Sequence, residues 1–255
     1  MTDTLYMIHG MWGSGAYWSN YRSYFEAQGY RVMTPTLRHH GGRFEDPPPP
    51  ALGNTSLLDY AADLEGEIRT LDRKPILMGH SMGGLLAQML ASRGLAKAVV
   101  LLTPASPRGI NALRVSVVRS FLSAQMRWAY WRKPHRQTFG EAAYSMLQLL
   151  PAEEQQRVYR TFCYESGRAA FEIGMWPMDA RRASEVDASR VTCPVLTIAG
   201  REDRITPASV VRHVARKYGS EYLELAHHAH WVVGEPGWQD VAGAAAAWLR
   251  KTVRE

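Results

Sequence analysis

The ten residues Ile76-Leu77-Met78-Gly79-His80-Ser81-Met82-Gly83-Gly84-Leu85 decide the fold that this sequence predicts. An apolar run typical of a buried strand leads into the pattern Gly-x-Ser-x-Gly, and a helical pattern follows at once. In a sharp strand-to-helix turn of this kind, strained backbone geometry lifts the serine hydroxyl above the sheet. The helix N-terminus places unpaired N–H groups and partial positive charge beside that hydroxyl. We therefore predict that Ser81 is a nucleophile.

Strand and helix patterns alternate on both sides of this turn. Short apolar runs predict strands at residues 5–9, 31–34, 75–78, 98–102, 194–199 and 222–225. Helical spacing predicts helices at residues 16–28, 56–71, 82–93, 208–218 and 239–253, the second capped by Ser56 or Thr55. Such alternation implies parallel strands joined by right-handed helical crossovers. The predicted fold class is α/β, a doubly wound and mostly parallel sheet of about six strands.

The alternation breaks over residues 106–190, which carry aromatic residues, Met and Arg at helical spacing without a convincing strand. An all-helical insertion between two strands of one sheet is the simplest account. We predict a core domain of residues 1–105 and 191–255, with residues 106–190 as the insertion. The proline-rich stretch 36–54 is expected to be a surface loop, because proline cannot donate to a strand ladder.

The net charge of +6 raises the question of a polyanionic partner. Basic residues are scattered among acidic ones, which argues against nucleic acid. Their one local concentration, Arg127 to Arg136, is interleaved with Trp128, Tyr130 and Trp131. A solvated helix face is one interpretation of this segment. A surface that contacts a membrane or an anionic substrate is the other.

The sequence also indicates the cellular compartment and the role of the two cysteines. No apolar run reaches the roughly 18 residues of a membrane span, and residues 1–4 lack the basic start of a leader. We expect a cytoplasmic protein without stable membrane insertion, and a homodimer is left open. Cys163 and Cys193 lack disulfide or zinc spacing, so both are expected to be buried thiols.

A serine hydroxyl needs a general base within hydrogen-bond reach and a carboxylate that orients this base. After a turn like that at Ser81, the expected chain order is nucleophile, acid, histidine. Asp203 lies just beyond the predicted strand 194–199, at the edge where open α/β sheets place their sites. It is therefore the predicted acid. Glu202 is the alternative acid, and a structural salt bridge with Arg201 or Arg204 is the alternative role for Asp203.

Three histidines compete for the role of base in Ala226-His227-His228-Ala229-His230-Trp231. His230 is predicted because an apolar run and then Pro236 follow it, which suits a loop crossing the sheet edge before the last helix. His228 and His227 remain alternatives. A metal site is the other interpretation of the cluster, but no carboxylate or cysteine stands at ligand spacing. We therefore predict neither a metal nor a cofactor.

Acyl transfer also needs two N–H donors for the oxyanion. The stretch His9-Gly10-Met11-Trp12-Gly13-Ser14-Gly15 follows the first strand and opens the first helix, and its glycines permit a backbone turned toward the nucleophile. The backbone N–H groups of Met11 and Met82 are the predicted donors, with Trp12 as the rival of Met11. A phosphate-binding loop is excluded, because neither Gly-rich phosphate motif is complete here.

These stretches, in this order, resemble the serine esterase and lipase-like branch of the α/β-hydrolase family. The resemblance covers nearly the whole chain apart from the insertion, and His9-Gly10-Met11-Trp12 with Trp18 is similar to the start of small esterases. It implies the α/β-hydrolase fold and makes the insertion a helical cap, or lid, where substrate selectivity resides. Serine at position 81 argues against relatives that use aspartate there, the haloalkane dehalogenases and epoxide hydrolases.

The predicted function is hydrolysis of a small to medium hydrophobic carboxylic ester through an acyl-enzyme. Trp12, His80 and Trp231 are expected to contact this substrate. Aromatic and Met side chains between Asn111 and Met178 suit an acyl pocket, or they form ordinary core of the cap. A thioesterase, lactonase, C–C hydrolase or hydroxynitrile lyase would use the same motifs. A receptor that binds a small ligand without turnover is the non-enzymatic alternative.

Overall fold

A computed structural model describes residues 2–253. Its strands are β1 (Thr4–Ile8), β2 (Arg31–Met33), β3 (Ile76–His80), β4 (Ala98–Leu102), β5 (Val195–Gly200) and β6 (Glu221–Leu225). They form one sheet in the order β2-β1-β3-β4-β5-β6, and every neighbouring pair is parallel. The predicted doubly wound α/β fold is confirmed, and the sheet is parallel throughout rather than mostly so.

The helices flank this sheet in the expected alternation. They are α1 (Ser19–Glu26), α2 (Leu57–Ile68), α3 (Met82–Ser92), α4 (Val115–Ser120), α5 (Leu122–Gln125), α6 (Phe139–Ser145), α7 (Ala152–Tyr159), α8 (Gly167–Gly174), α9 (Ala208–Tyr218) and α10 (Trp238–Val253). The helix predicted over residues 16–28 is divided into a 3-10 turn, Gly15–Trp18, and the shorter α1. Ser56 caps α2 as expected, because its hydroxyl accepts from Leu58 N–H and Asp59 completes a capping box.

The sheet order explains where a site can form. The chain runs outward from β1 to β2 and then crosses back to β3, so the crossover direction reverses between β1 and β3. At such a reversal, the loops at the carboxyl ends of neighbouring strands part and leave a crevice. The register pairs Ile8 with Gly79 and His80 with Leu102, which brings the ends of β1, β3 and β4 to one level. Helix α3 starts at this level and is buried from Met82 to Ala91, as its apolar sequence requires.

The insertion lies between β4 and β5 and contains α4 to α8. Its regular elements are helices and 3-10 turns, and one isolated antiparallel bridge between His135 and Glu165 joins two of its segments. The loop predicted over residues 36–54 also contains a 3-10 turn, Pro50–Asn54. Cys163 is buried as expected, whereas Cys193 is only half-buried. Within residues 2–253, no helix is both long and apolar enough to cross a membrane.

Candidate active site

Ser81 lies at the turn between β3 and α3 with φ 55° and ψ −120°, outside the regions that an L-residue ordinarily adopts. Backbone hydrogen bonds and close packing hold this strained conformation. The Ser81 N–H donates to the carbonyl of Leu102 at 3.1 Å, and its own carbonyl accepts from Gly84 N–H at 2.9 Å. A Cβ at position 83 would lie 2.1 Å from the carbonyl oxygen of Ile8, so only glycine fits there. Tertiary packing therefore stabilises a turn that local preferences disfavour.

The structure joins Ser81, His230 and Asp203 in one chain of hydrogen bonds. His230 follows β6 and places its Nε2 2.9 Å from the Ser81 Oγ. Its Nδ1 lies 2.7 Å from Oδ2 of Asp203, which follows β5. The exposed fractions are 7% for Ser81, 5% for Asp203 and 1% for His230, so water competes little for these hydrogen bonds. A base that can accept from the serine hydroxyl is thus backed by a carboxylate.

Asp203 is held by donors on both oxygens. Its Oδ1 accepts from the backbone N–H groups of Ile205 and Thr206, each at 2.8 Å, and its Oδ2 accepts from the Thr206 hydroxyl at 2.8 Å. Burial alone would raise the pKa of Asp203, but the charge and hydrogen bond of His230, with the Thr206 donors, outweigh it and lower the pKa. Sequence reasoning missed Thr206. A hydroxyl residue three positions after an Asp is a recognisable local turn signal.

Glu202, His227 and His228, the predicted alternatives to Asp203 and His230, make other contacts. The Glu202 side chain is about half exposed, and its carboxylate lies 3.8 Å from His227, whose side chain is 94% exposed. His228 pairs with Glu235, with Nδ1 3.0 Å from Oε1, and the same oxygen accepts from the Ala229 N–H. Glu235 therefore anchors the loop that carries the three histidines. Of the three, the structure brings His230 to Ser81.

His80 and Trp231, which the sequence predicts as substrate contacts, are both buried in the structure. His80 Nε2 donates to the backbone carbonyl of His230 at 2.8 Å. Burial, with the nearby His230, lowers the pKa of His80 to about 3, so its ring is a neutral donor that supports the backbone of His230. Trp231 is 5% exposed, and its ring packs edge-on against Tyr17 with centroids 4.7 Å apart. Neither side chain lines the cavity described below.

His9 orients the loop that carries the predicted oxyanion donor. Its Nε2 accepts from the Leu37 N–H at 3.1 Å, so the proton is on Nδ1, which donates to the Gly10 carbonyl at 2.8 Å. Burial, with the neighbouring His40, lowers the pKa of His9 to about 3 and keeps the ring neutral. A peptide unit is planar and trans, so fixing the Gly10 carbonyl aims the Met11 N–H the opposite way. The sequence named His9 only as part of a motif.

A cavity of about 130 Å³ lies between the sheet edge and the insertion, with Ser81 in its wall. Met11 and Met82 line it beside Ser81, whereas Trp12 does not. Trp12 instead packs its ring against Phe121 and Phe162. The cavity therefore favours Met11 over Trp12 as the first donor, and it does not support Trp12 as a substrate contact.

The walls of the cavity come from both units of the chain and are uncharged. The core supplies Met11, Ser81, Met82, Ala105, Ile205, Thr206 and Val210, and the insertion supplies Ser106, Asn111, Ala112, Leu113, Val117, Val118, Phe121, Ala124, Gln125, Tyr130, Ala170, Ile173, Gly174, Met175 and Trp176. Among these described residues there is no Asp, Glu, Lys, Arg or His. The basic side chains of residues 127–136 thus stay out of the cavity.

The sequence model of the alpha/beta hydrolase family matches residues 5–244 of this chain. The chain belongs to the alpha/beta hydrolase family. Among curated proteins, it is 24% identical to Protein ABHD8 of Bos taurus over 230 residues, which cover 87% of this chain and 50% of that protein. The Mus musculus protein of the same name is also 24% identical, over 238 residues that cover 90% of this chain and 51% of the relative. The chain thus spans about half the length of the curated relatives it matches.

Solved structures of esterases and lipases share its fold. The monoacylglycerol lipase of Paleococcus ferrophilus superposes with a TM-score of 0.71 at 20% identity, covering 98% of this chain and 96% of that one. The methylesterase MES16 from Arabidopsis gives a TM-score of 0.73 at 13% identity, with coverages of 97% and 99%. An esterase from Thermogutta terrifontis gives 0.70 at 21% identity, with coverages of 99% and 91%. At such identities the likeness shows the fold alone.

A buried ion pair connects the insertion to the loop after β2. His40 Nε2 lies 3.1 Å from Oε2 of Glu165, and both side chains are fully buried. The His40 Nδ1 faces the Arg38 carbonyl at 3.0 Å, and Glu165 also accepts from the Tyr60 hydroxyl at 2.8 Å and the Ser166 N–H at 2.6 Å. Burial would lower the pKa of His40, but Glu165 outweighs it and raises that pKa. Likewise, the His40 charge and the surrounding donors outweigh burial and lower the pKa of Glu165.

Proposed function

We propose that this protein hydrolyses carboxylic esters of small, uncharged, hydrophobic acyl groups through an acyl-enzyme on Ser81. The observation that carries the proposal is the hydrogen-bonded chain from Ser81 through His230 to Asp203, which ends in the wall of an uncharged cavity. A serine, a base and an orienting acid at these distances are the machinery of nucleophilic acyl transfer.

In the first half of the proposed reaction, His230 Nε2 takes the proton of the Ser81 hydroxyl as Oγ attacks the ester carbonyl carbon. The carbonyl oxygen becomes an oxyanion that accepts from the N–H groups of Met11 and Met82. Met82 is the first residue of α3, so its N–H belongs to the free donors of a helix N-terminus. His230 then gives its proton to the alkoxide, which leaves as the alcohol, and the acyl group remains on Ser81.

In the second half, a water molecule gives its proton to His230 and attacks the acyl carbon. The tetrahedral adduct collapses, Ser81 Oγ leaves and regains its proton from His230, and the acid product is released. Asp203 stays ionised throughout and stabilises the imidazolium that forms twice. The buried donors on its two oxygens, from Ile205 and Thr206, favour that ionised state.

The cavity supports the proposed substrate class. At about 130 Å³ it is close in volume to a protein cavity of about 150 Å³ that admits benzene, so an acyl chain of a few carbons or one ring fits. A charged acyl group would lose its hydration without gaining a charged partner, since the described lining carries no Asp, Glu, Lys, Arg or His. Substrates that extend beyond this volume would require the insertion to move.

A fluorophosphonate probe followed by mass mapping tests the proposal. We expect one adduct on Ser81, no adduct in Ser81→Ala, and a retained Ser81 adduct in Ser106→Ala, a second serine that lines the same cavity. Absence of a Ser81 adduct in folded wild-type protein would contradict the proposal.

A panel of p-nitrophenyl esters graded by acyl length tests the substrate class. We expect kcat/KM to be highest for the short acyl groups and to fall once the chain exceeds the cavity. Matched thioesters measured beside them separate ester from thioester preference. A protein that binds these esters without sustained product release would be a receptor and not an esterase.

A further inference from the structure

The insertion gathers the large hydrophobic side chains that this protein exposes. Within residues 2–253, those with strong exposure are Leu113, Val115, Leu122, Met126, Trp128, Met175 and Met178. All of them lie in the insertion, and the exposed fraction reaches 85% for Trp128 and 87% for Val115. Isolated exposed hydrophobic residues are ordinary, but a set confined to one unit of a chain is typical of an interaction surface.

Part of this exposed apolar set is continuous with the cavity that contains Ser81. Leu113 and Met175 line the cavity and are also exposed, by 65% and 40%. From Leu113 a shallow groove continues over Val115 and Val118 to Leu122. A substrate that leaves an apolar phase at this surface would therefore reach Ser81 along hydrophobic side chains.

The same segment carries unpaired positive charge. Residues 111–136 contain six cationic side chains and no Asp or Glu. Five of the six are exposed: Arg114, Arg119, Arg127, Arg132 and Lys133. None of these five forms an ion pair with another residue of the described range 2–253. We call these five, with the exposed hydrophobic residues of the same stretch, the 113–133 face.

We propose that the 113–133 face docks this protein onto an anionic lipid surface. Exposed hydrophobic side chains beside unpaired cations match the two parts of such a surface, its acyl boundary and its charged headgroups. Trp128 and Trp131, with ring centroids 6.4 Å apart, supply the amphipathic rings that membrane–water interfaces favour. A second copy fits less well, because a symmetric contact through this face would set its cations against each other.

Docking through this face would bring the cavity to the lipid boundary, so that an ester dissolved in the bilayer could enter without crossing water. This consequence rests on the proposed esterase function, whereas docking itself does not. Binding is therefore measured with the full chain carrying Ser81→Ala, so that turnover through Ser81 does not accompany it. Ser81 labelling by the fluorophosphonate reports separately on the proposed function.

The test is sedimentation with vesicles of phosphatidylcholine alone and of phosphatidylcholine mixed with phosphatidylglycerol. We expect binding to the anionic vesicles, little to the zwitterionic ones, and loss of binding as salt rises. Each cation near an anionic surface contributes about fivefold, so Arg132→Gln with Lys133→Gln should weaken binding about thirtyfold. Trp128→Ala should weaken it about tenfold by removing apolar contact.

The matched control is Arg73→Gln with Lys74→Gln, an adjacent exposed Arg-Lys pair on the core that removes the same charge. It should change binding by less than about twofold. Equal binding to both vesicle types, or equal loss in the two double variants, would overturn the proposal. So would a dimer in light scattering that Trp128→Ala converts to a monomer, since a second copy would then cover this face. Circular dichroism confirms that each variant is folded.

Discussion

Replacing Asp203 with Asn tests the proposed mechanism most sharply, because the structure dictates how the new side chain must lie. Oδ1 of Asp203 faces two backbone N–H donors, those of Ile205 and Thr206. An amide NH₂ cannot accept from them, so the amide oxygen of Asn must take the Oδ1 position. The NH₂ group is thereby forced into the Oδ2 position, 2.7 Å from Nδ1 of His230.

A donor at that position reverses the tautomer of His230. Nδ1 must then accept, so the proton is carried on Nε2, which faces the Ser81 Oγ. An Nε2 that already carries a proton cannot take another from the serine hydroxyl. We expect kcat to fall on the order of 10⁴-fold, or about 5.4 kcal/mol of transition-state stabilisation. KM should stay within about twofold, because Asp203 does not line the cavity.

Steady-state hydrolysis of a short-chain p-nitrophenyl ester measures both constants. The control is Glu202→Gln, which removes the same charge from the preceding residue, whose side chain is half exposed and points to His227. It should change kcat by less than about twofold. A loss below about tenfold in Asp203→Asn, or an equal loss in Glu202→Gln, would refute the assignment of Asp203 as the acid.

Two further substitutions follow from close contacts. In Gly10→Ala, the new Cβ would lie 2.8 Å from the Cβ of Ser81, so we expect kcat to fall about a hundredfold, while Gly66→Ala, with no atom within 4 Å, should not lower it. Glu165→Gln removes the carboxylate that keeps buried His40 protonated, and it should lower the free energy of unfolding by about 3–5 kcal/mol at pH 6. Because Glu165 raises the pKa of His40, the wild type should lose stability as pH rises above the ordinary histidine pKa of 6.5 through the higher folded value. Urea unfolding across this pH range should therefore show the penalty of Glu165→Gln shrinking, and a constant penalty would contradict the charge of His40.

Local hydrophobic patterns in the sequence predicted most of the strands and helices. Strand β4 has the predicted bounds, and α9 begins and ends where its helical spacing indicates, at Ala208 and Tyr218. Buried strands need short apolar runs, and amphipathic helices need apolar residues that repeat about every 3.6 positions. Both patterns can be recognised from the sequence alone. The division of the first predicted helix into a 3-10 turn and α1 was missed, since Gly15 and Trp18 take their positions from tertiary packing.

The chain order also suggested which residues to examine at the site. Ser81, Asp203 and His230 each follow a predicted strand, and parallel strands bring their carboxyl ends together. The sequence left adjacent candidates open, however, because a turn has no period that tells where each side chain points. Only the folded chain separates Asp203, buried against His230, from the half-exposed Glu202 beside it.

The features that only the tertiary structure decided are mostly contacts between the insertion and the core. The pairing of His40 with Glu165 joins residues 125 positions apart, and no local pattern predicts it. The cavity likewise depends on how α4, α5 and α8 pack over the sheet edge, so its lining, which does not include Trp12, His80 or Trp231, could not be predicted from local patterns. The sequence by itself determined the strand-turn-helix that presents Ser81, because backbone geometry and hydrophobic periodicity are local. What Ser81 faces was decided by contacts between distant segments, whose geometry exists only once the chain has folded.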